Sequence, residues 1–187
     1  MGGSFDPIHL GHLRAAESAR EALRLEEVAF VPCGLPPHRP GPLSPALDRY
    51  AMVALATAGN RAFLACDIEL RRQGASYTVD TVEALLGARA GASLVLIVGS
   101  DAFAEIQSWK EPERLLALCS VAVVTRPGDA APTPNGSLGA GRVERVDAPG
   151  LAVSATTIRQ RVAEGLSVRY LVPDSVADYI AKRGLYR

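Results

Sequence analysis

Leu94-Val95-Leu96-Ile97-Val98-Gly99-Ser100-Asp101 is the stretch on which the fold turns. Five consecutive apolar residues without polar alternation describe a strand covered on both faces, and Gly99 stops it. Such a strand belongs in a parallel sheet with helices above and below. Working outward, Val28-Ala29-Phe30-Val31-Pro32 repeats the pattern and ends on its proline. Val121-Ala122-Val123-Val124-Thr125 repeats it again, stopped by Arg126-Pro127-Gly128. Val143 to Val146 gives a fourth run, and Phe63 to Leu70 a further extended segment. Helical patterns fill the spaces between: His12–Leu25, Pro45–Ala58, Thr78–Arg89 and Pro112–Leu118. Thr156–Glu164 and Pro173–Arg183 close the chain, with Pro45, Pro112 and Pro173 suited to first-turn positions. The alternation predicts an α/β fold, a parallel sheet with helices on both faces and a small C-terminal helical region. Leu35–Ser44 and Pro127–Gly141 are rich in proline and glycine and read as loops. No repeat or linker divides the chain, so residues 1–187 are expected to form one domain.

Composition narrows the function. Hydrophobic residues make up 48% and charged residues 21% of the 187, as in a globular protein with an ample core. Lys+Arg and Asp+Glu both number 20, so no broad basic field is available to hold long nucleic acid. An anion bound here must be held locally. Cys33, Cys66 and Cys119 are widely separated and form no C-x-x-C pair, which points to thiols in a reducing compartment. The apolar runs are too short to span a bilayer and no signal-peptide pattern opens the chain. A cytoplasmic protein is expected, with assembly into a homo-oligomer left open.

The local anion sites are readable. Gly2-Gly3-Ser4-Phe5-Asp6-Pro7-Ile8-His9-Leu10-Gly11-His12 runs straight into a helix. Paired glycines allow close backbone approach, and a helix N-terminus offers N–H groups and partial positive charge to a phosphate. His9 and His12 add imidazole donors there. Alone, the pair also fits a turn before a helix, or two zinc ligands with His38 as a third. Val153-Ser154-Ala155-Thr156-Thr157-Ile158-Arg159 is a second candidate. Ser154 or Thr156 caps its helix and Arg159 adds a fixed cation, although a capped surface helix explains the same residues. Asp101 stands beyond the carboxyl end of a buried strand, where it can meet ribose hydroxyls or cap the next helix. Trp109 can stack on a pyridine ring or fill the core. Thr78 can cap its helix, and His38 and Arg39 are donors on a proline loop.

Taken together, the opening string and the second segment resemble the signatures of the nucleotidyltransferase superfamily with the H-x-G-H motif. Further segments resemble the bacterial nicotinate-nucleotide adenylyltransferases. These are Pro36-Pro37-His38-Arg39, Ser76-Tyr77-Thr78-Val79-Asp80-Thr81, Gly99-Ser100-Asp101, Trp109-Lys110, Leu171-Val172-Pro173 and the ending Gly184-Leu185-Tyr186-Arg187. The likeness runs over nearly the whole chain and is weakest at residues 127–150.

The resemblance implies a Rossmann-like sheet and transfer of AMP from ATP to nicotinate mononucleotide. It implies catalysis by His9, His12 and Arg159. Gly2, Gly3, Ser4, Phe5 and Gly11 would frame the ATP, with Gly99 and Asp101 across from them. Ser154, Thr156 and Ile158 belong to the phosphate-gripping motif, Thr156 and Arg159 meeting the β- and γ-phosphates. His38, Arg39, Tyr77, Thr78 and Trp109 would receive the acceptor. Mg2+ is the implied cofactor, held through the ATP phosphates rather than by protein ligands. Rival readings are pantetheine-phosphate or nicotinamide-mononucleotide adenylyltransferases, a zinc hydrolase using the three histidines, and a silent nucleotide-binding regulator. In the family a first β-strand precedes the opening string. Only Met1 precedes it here, so that strand is expected to be missing and the natural chain to start upstream.

Overall fold

The continuous apolar runs have no wet face, so their backbones can be satisfied only inside a covered sheet. In the computed structural model, which describes residues 1–36, 43–89, 91–125 and 142–187, the runs starting at Val28, Leu94 and Val121 supply three of six parallel strands. β1 (Gly2–Gly3), β2 (Val28–Pro32) and β3 (Phe63–Ala65) make one ladder, in that order. β4 (Val95–Gly99), β5 (Ser120–Thr125) and β6 (Val143–Asp147) make a second. β1 lies beside β4, so the strands read β3-β2-β1-β4-β5-β6 across the molecule. That is the doubly wound order, reversing between β1 and β4. Chains leaving these two strands diverge, and a crevice opens beyond their carboxyl ends. The opening string leaves β1 into that crevice, and Ser100-Asp101 leaves β4.

Alternate strand residues face opposite sides. Ile97, Ala122 and Val124 bury against Ala16 and Ala19 of α1 (Leu10–Leu23), Met52 and Val53 of α2 (Ala46–Thr57), Ile158 of α6 (Ala155–Ala163) and Ile180 of α7 (Asp174–Arg183). Leu96, Val98, Val121 and Val123 face the other way. They meet Val79 and Val82 of α3 (Thr78–Ala88), Phe103 of α4 (Ser100–Ala104) and Leu115 of α5 (Pro112–Leu118). Each fully buried aliphatic side chain contributes about 1.5–3 kcal/mol relative to exposure. Two cores therefore clamp the strands between them. Among the described residues no helix is long and apolar enough to cross a membrane.

Several expectations need correction. The first strand is present: Val31 N–H donates to Met1 O at 2.9 Å and Cys33 N–H to Gly3 O at 2.9 Å. Two glycines carry no side-chain pattern, so backbone pairing alone reveals it. Phe63 to Leu70 is a strand only to Ala65; Leu70 and Arg71 N–H groups then bond Asp67 O in a turn. Pro112 occupies the first helical position, whereas Pro45 and Pro173 stand one place earlier, at the caps. The short α4 and a 3-10 turn over Ile106–Ser108 were not expected; Phe103 and Ile106, three apart, bury them. The loop at 127–141 lies outside the described residues.

Candidate functional site

The opening string is pinned by two apolar anchors. Phe5 and Ile8 are buried, and Phe5 lies against Phe30 with ring centroids 5.9 Å apart. Phe5 adopts φ +47°, the left-handed region that a bulky residue enters only when its surroundings compel it. Its ring passes so close to Gly3 that a Cβ there would stand 3.2 Å from it. These contacts turn the chain into α1 with His9 as N-cap and His12 in the first turn. His9 N–H donates to His12 Nδ1 at 3.2 Å, which leaves a neutral His12 carrying its proton on Nε2. The two rings stack with centroids 3.6 Å apart, and Phe5 meets His12 edge-on at 5.1 Å. His9 is buried and His12 half-buried. A stack braced by Phe5 fixes both imidazoles at the positive end of a helix.

The second segment folds onto the first. Ser154 caps α6, its Oγ accepting from Thr157 N–H at 3.1 Å. Ile158 is fully buried and pins the helix, so its own side chain serves the core and only its backbone lies on the site's motif. Gly11 explains the closeness of the two helix starts, since a Cβ on it would fall 3.0 Å from both His9 Nδ1 and Val153 Cγ1. Arg159 Nη1 crosses to donate to Asp6 O at 2.7 Å, and Nη2 donates to Thr156 Oγ1 at 3.3 Å. Ser154 and Thr156 are exposed and Arg159 half-buried. His9, His12, Thr156 and Arg159 are thus drawn together from residues some 150 positions apart.

Across the crevice, Gly99 is the N-cap of α4 and Asp101 lies in its first turn, exposed. Asp101 is therefore not the cap; its Oδ1 accepts from Ala102 N–H at 2.9 Å. A Cβ at position 99 would stand 2.6 Å from that oxygen, so a side chain there would displace the Asp101 carboxylate. Tyr77, not Thr78, holds the cap position of α3, without a side-chain cap bond. The base of the proline loop is fastened there: Ser76 N–H donates to Leu35 O at 2.8 Å and Gly34 N–H to Ser76 Oγ at 3.0 Å. Trp109 is half-buried against the second core. Its neighbour Lys110 pairs with Asp80 at 2.9 Å and stands 4.9 Å from the centre of the Tyr77 ring. The Asp80 hydrogen bond raises the Lys110 pKa, so the cation persists there. His38 and Arg39 lie outside the described residues.

Three residues of this architecture were not anticipated. Asp6 is buried, its Oδ1 accepting from Tyr186 Oη–H at 2.7 Å and its Oδ2 from Ser44 N–H at 3.4 Å. Burial pushes the Tyr186 hydroxyl far above the usual phenol range, with the Asp6 carboxylate adding to the rise, so it stays a donor. Arg49 is 1% exposed and donates to Ser4 O at 2.8 Å, Ser44 O at 3.0 Å and Gly34 O at 3.2 Å. It thereby ties the opening string to the base of the proline loop. One sequence signal for Arg49 exists: it stands three and four residues before Met52 and Val53, on the buried face of α2. Among the described residues no group of three His, Cys, Asp or Glu side chains is placed to hold a metal.

Comparison with known proteins agrees with this layout. The Cytidylyltransferase-like family matches residues 1–161. A probable nicotinate-nucleotide adenylyltransferase of Acidothermus cellulolyticus is 45% identical over 193 aligned residues, covering 100% of this chain and 92% of that relative. Another, of Streptomyces coelicolor, is 46% identical over 190 residues, covering 100% and 99%. Among solved structures, Plasmodium falciparum nicotinic acid mononucleotide adenylyltransferase complexed with NaAD has TM-score 0.81 at 19% identity, over 99% of this chain and 94% of that one. That likeness shows a shared fold.

Proposed function

The chain belongs to the cytidylyltransferase-like family and, within it, to the nicotinate-nucleotide adenylyltransferases, and from that membership we propose a division of labour for its residues. The reaction joins nicotinate mononucleotide to ATP. A phosphate oxygen of the mononucleotide attacks the α-phosphorus, the bond from that phosphorus to the bridging oxygen of the β-phosphate breaks, and pyrophosphate leaves. The product is nicotinate adenine dinucleotide. The attacking oxygen is already ionised, so no strong base is required. Rate comes from positioning and from donors aimed at developing charge.

The observation that carries the assignment is the Arg159–Asp6 bond, which joins the two helix N-termini at the point where the strand order reverses. His9 and His12 hold the α-phosphate oxygens, His12 through Nε2–H. Arg159, with Thr156 beside it, holds the departing pyrophosphate; Nη1 and Nη2 each carry a second N–H beyond those given to Asp6 and Thr156. Gly2, Gly3, Ser4, Phe5 and Gly11 let the backbone close on the triphosphate, with Ser154 and the Ile158 backbone completing its cradle. Gly99 and Asp101 take the ribose. The first N–H groups of α3, at Tyr77 and Thr78, receive the pyridine carboxylate, and Trp109 packs behind the ring. A carboxylate accepts from those donors, whereas an amide would set its own N–H against them, so the acid is preferred. His38 and Arg39 clamp the acceptor phosphate.

Mg2+ neutralises charge on the triphosphate. It would be held through the nucleotide oxygens and water rather than by protein ligands. A cytoplasmic location fits three cysteines among which no disulfide forms. ATP labelled at its α-phosphorus tests the reaction: the label must end in the dinucleotide. Label left in ATP, or released as ADP or AMP, in the presence of nicotinate mononucleotide would contradict the reading.

A further inference from the structure

The segment after α7 reaches back across the whole chain. Gly184, at φ +63°, turns the helix end, and Leu185 N–H closes on Ile180 O at 3.1 Å. Leu185 and Tyr186 then pack against the first core. Tyr186 itself adopts φ +64°. Left-handed backbone at a bulky residue is strained and persists only where surrounding contacts impose it. Here the imposing contact is the 2.7 Å bond from the Tyr186 hydroxyl to Asp6. Phe5, just before Asp6, is held in the same region. Two strained residues thus meet at one buried carboxylate.

We propose that Tyr186 is a positioning residue for the ATP phosphates: through Asp6 it fixes the carbonyl on which Arg159 rests. Asp6 is a hub of three segments. Its Oδ1 holds Tyr186, its Oδ2 holds the Ser44 N–H ahead of α2, and its main-chain oxygen holds Arg159 Nη1 at 2.7 Å. The backbone oxygen and the side chain belong to one residue, so an unmoored carboxylate frees the peptide to rotate. Arg159 then loses its rest and must be ordered by the nucleotide itself. Burial keeps the phenol protonated, so the Tyr186 hydroxyl remains the donor of this bond. This assignment rests on the reading of Arg159 as a phosphate ligand.

Tyr186→Phe keeps the ring and removes only the donor. Steady-state kinetics with ATP and nicotinate mononucleotide should show KM for ATP raised about tenfold, the size of a lost hydrogen bond to a charged group. KM for nicotinate mononucleotide should not move. Asp6→Asn weakens the same bond from its other end and should raise KM for ATP with the same selectivity. The double variant should be no worse than the poorer single one, as for two halves of a single interaction. An unchanged KM for ATP in both single variants overturns the proposal. So does an equal rise in both KM values accompanied by a lowered melting temperature, because that is a merely structural role. Arg159→Ala separates the two levels. If it binds ATP like the parent, the phosphate reading fails; if it loses ATP affinity while Tyr186→Phe does not, only the role of Tyr186 fails.

Discussion

His12 is held from three directions. It sits in the first turn of α1, its Nδ1 is held by the His9 amide, and its ring is clamped between His9 and the edge of Phe5. A donor fixed before the reaction begins costs nothing to orient as charge builds on the α-phosphate. His12→Ala should therefore lower turnover by about 10²–10³, the effect of losing one preorganised donor. Steady-state pyrophosphate release checks it, and a near-parental rate would remove His12 from the catalytic set. The histidines, Arg159 and the glycines were legible because they occur in two short, dense segments. Asp6 lay inside the first of these without a visible role. Its partner Tyr186 is 180 residues away, and only folding reveals such a pair. Arg49 looked like an ordinary helical residue, since backbone carbonyls, its partners here, leave no mark in a sequence.

At the scale of elements, α7 docks on α2 through a polar contact inside an apolar seam. Asp48 of α2 is 5% exposed; it accepts from Tyr179 Oη–H at 2.7 Å and from Arg183 Nε at 3.1 Å. The Tyr179 hydrogen bond, opposed by burial and joined by Arg183, holds the Asp48 carboxyl below the usual range. A depressed folded pKa means the contact stabilises the fold above the unfolded value of about 3.9. That stability is lost as pH falls through the folded value. Tyr179→Phe should thus cost about 1–2 kcal/mol near neutrality. The difference from the parent should narrow as pH drops below about 3.9 and vanish once Asp48 is protonated in both states. Thermal melts across that range would show it; a gap independent of pH would mean the hydroxyl acts without the carboxylate. Strands β2, β4 and β5 were readable because their apolar runs are unbroken and mostly buried, whereas β6 has Glu144 and Arg145 exposed and only Val146 buried. β1 was not, because backbone bonds alone define it, and α4 was not, because five residues hold too short a period.

Over the whole molecule, the strand order reverses between β1 and β4, and the opening string, Asp101 and Arg159 belong to that junction. The opening string leaves β1, Asp101 follows β4, and α6 returns from the far end of the chain to lay Arg159 on Asp6. Arg49 ties the opening string to the base of the proline loop, so these two segments share one frame. The α/β class followed from the alternation of apolar runs and helical stretches. The choice of acceptor rested on short segments from residues 36 to 110, two of which meet in space as Lys110 with Tyr77. The central claim is that this frame transfers AMP to the acid form of the pyridine mononucleotide. Pyrophosphate release from ATP and Mg2+ should be measured in parallel with nicotinate mononucleotide, nicotinamide mononucleotide and phosphopantetheine. Fast release with the first, slower release with its amide and none with phosphopantetheine is the predicted result. Equal or faster release with the amide, or turnover of phosphopantetheine alone, would contradict it.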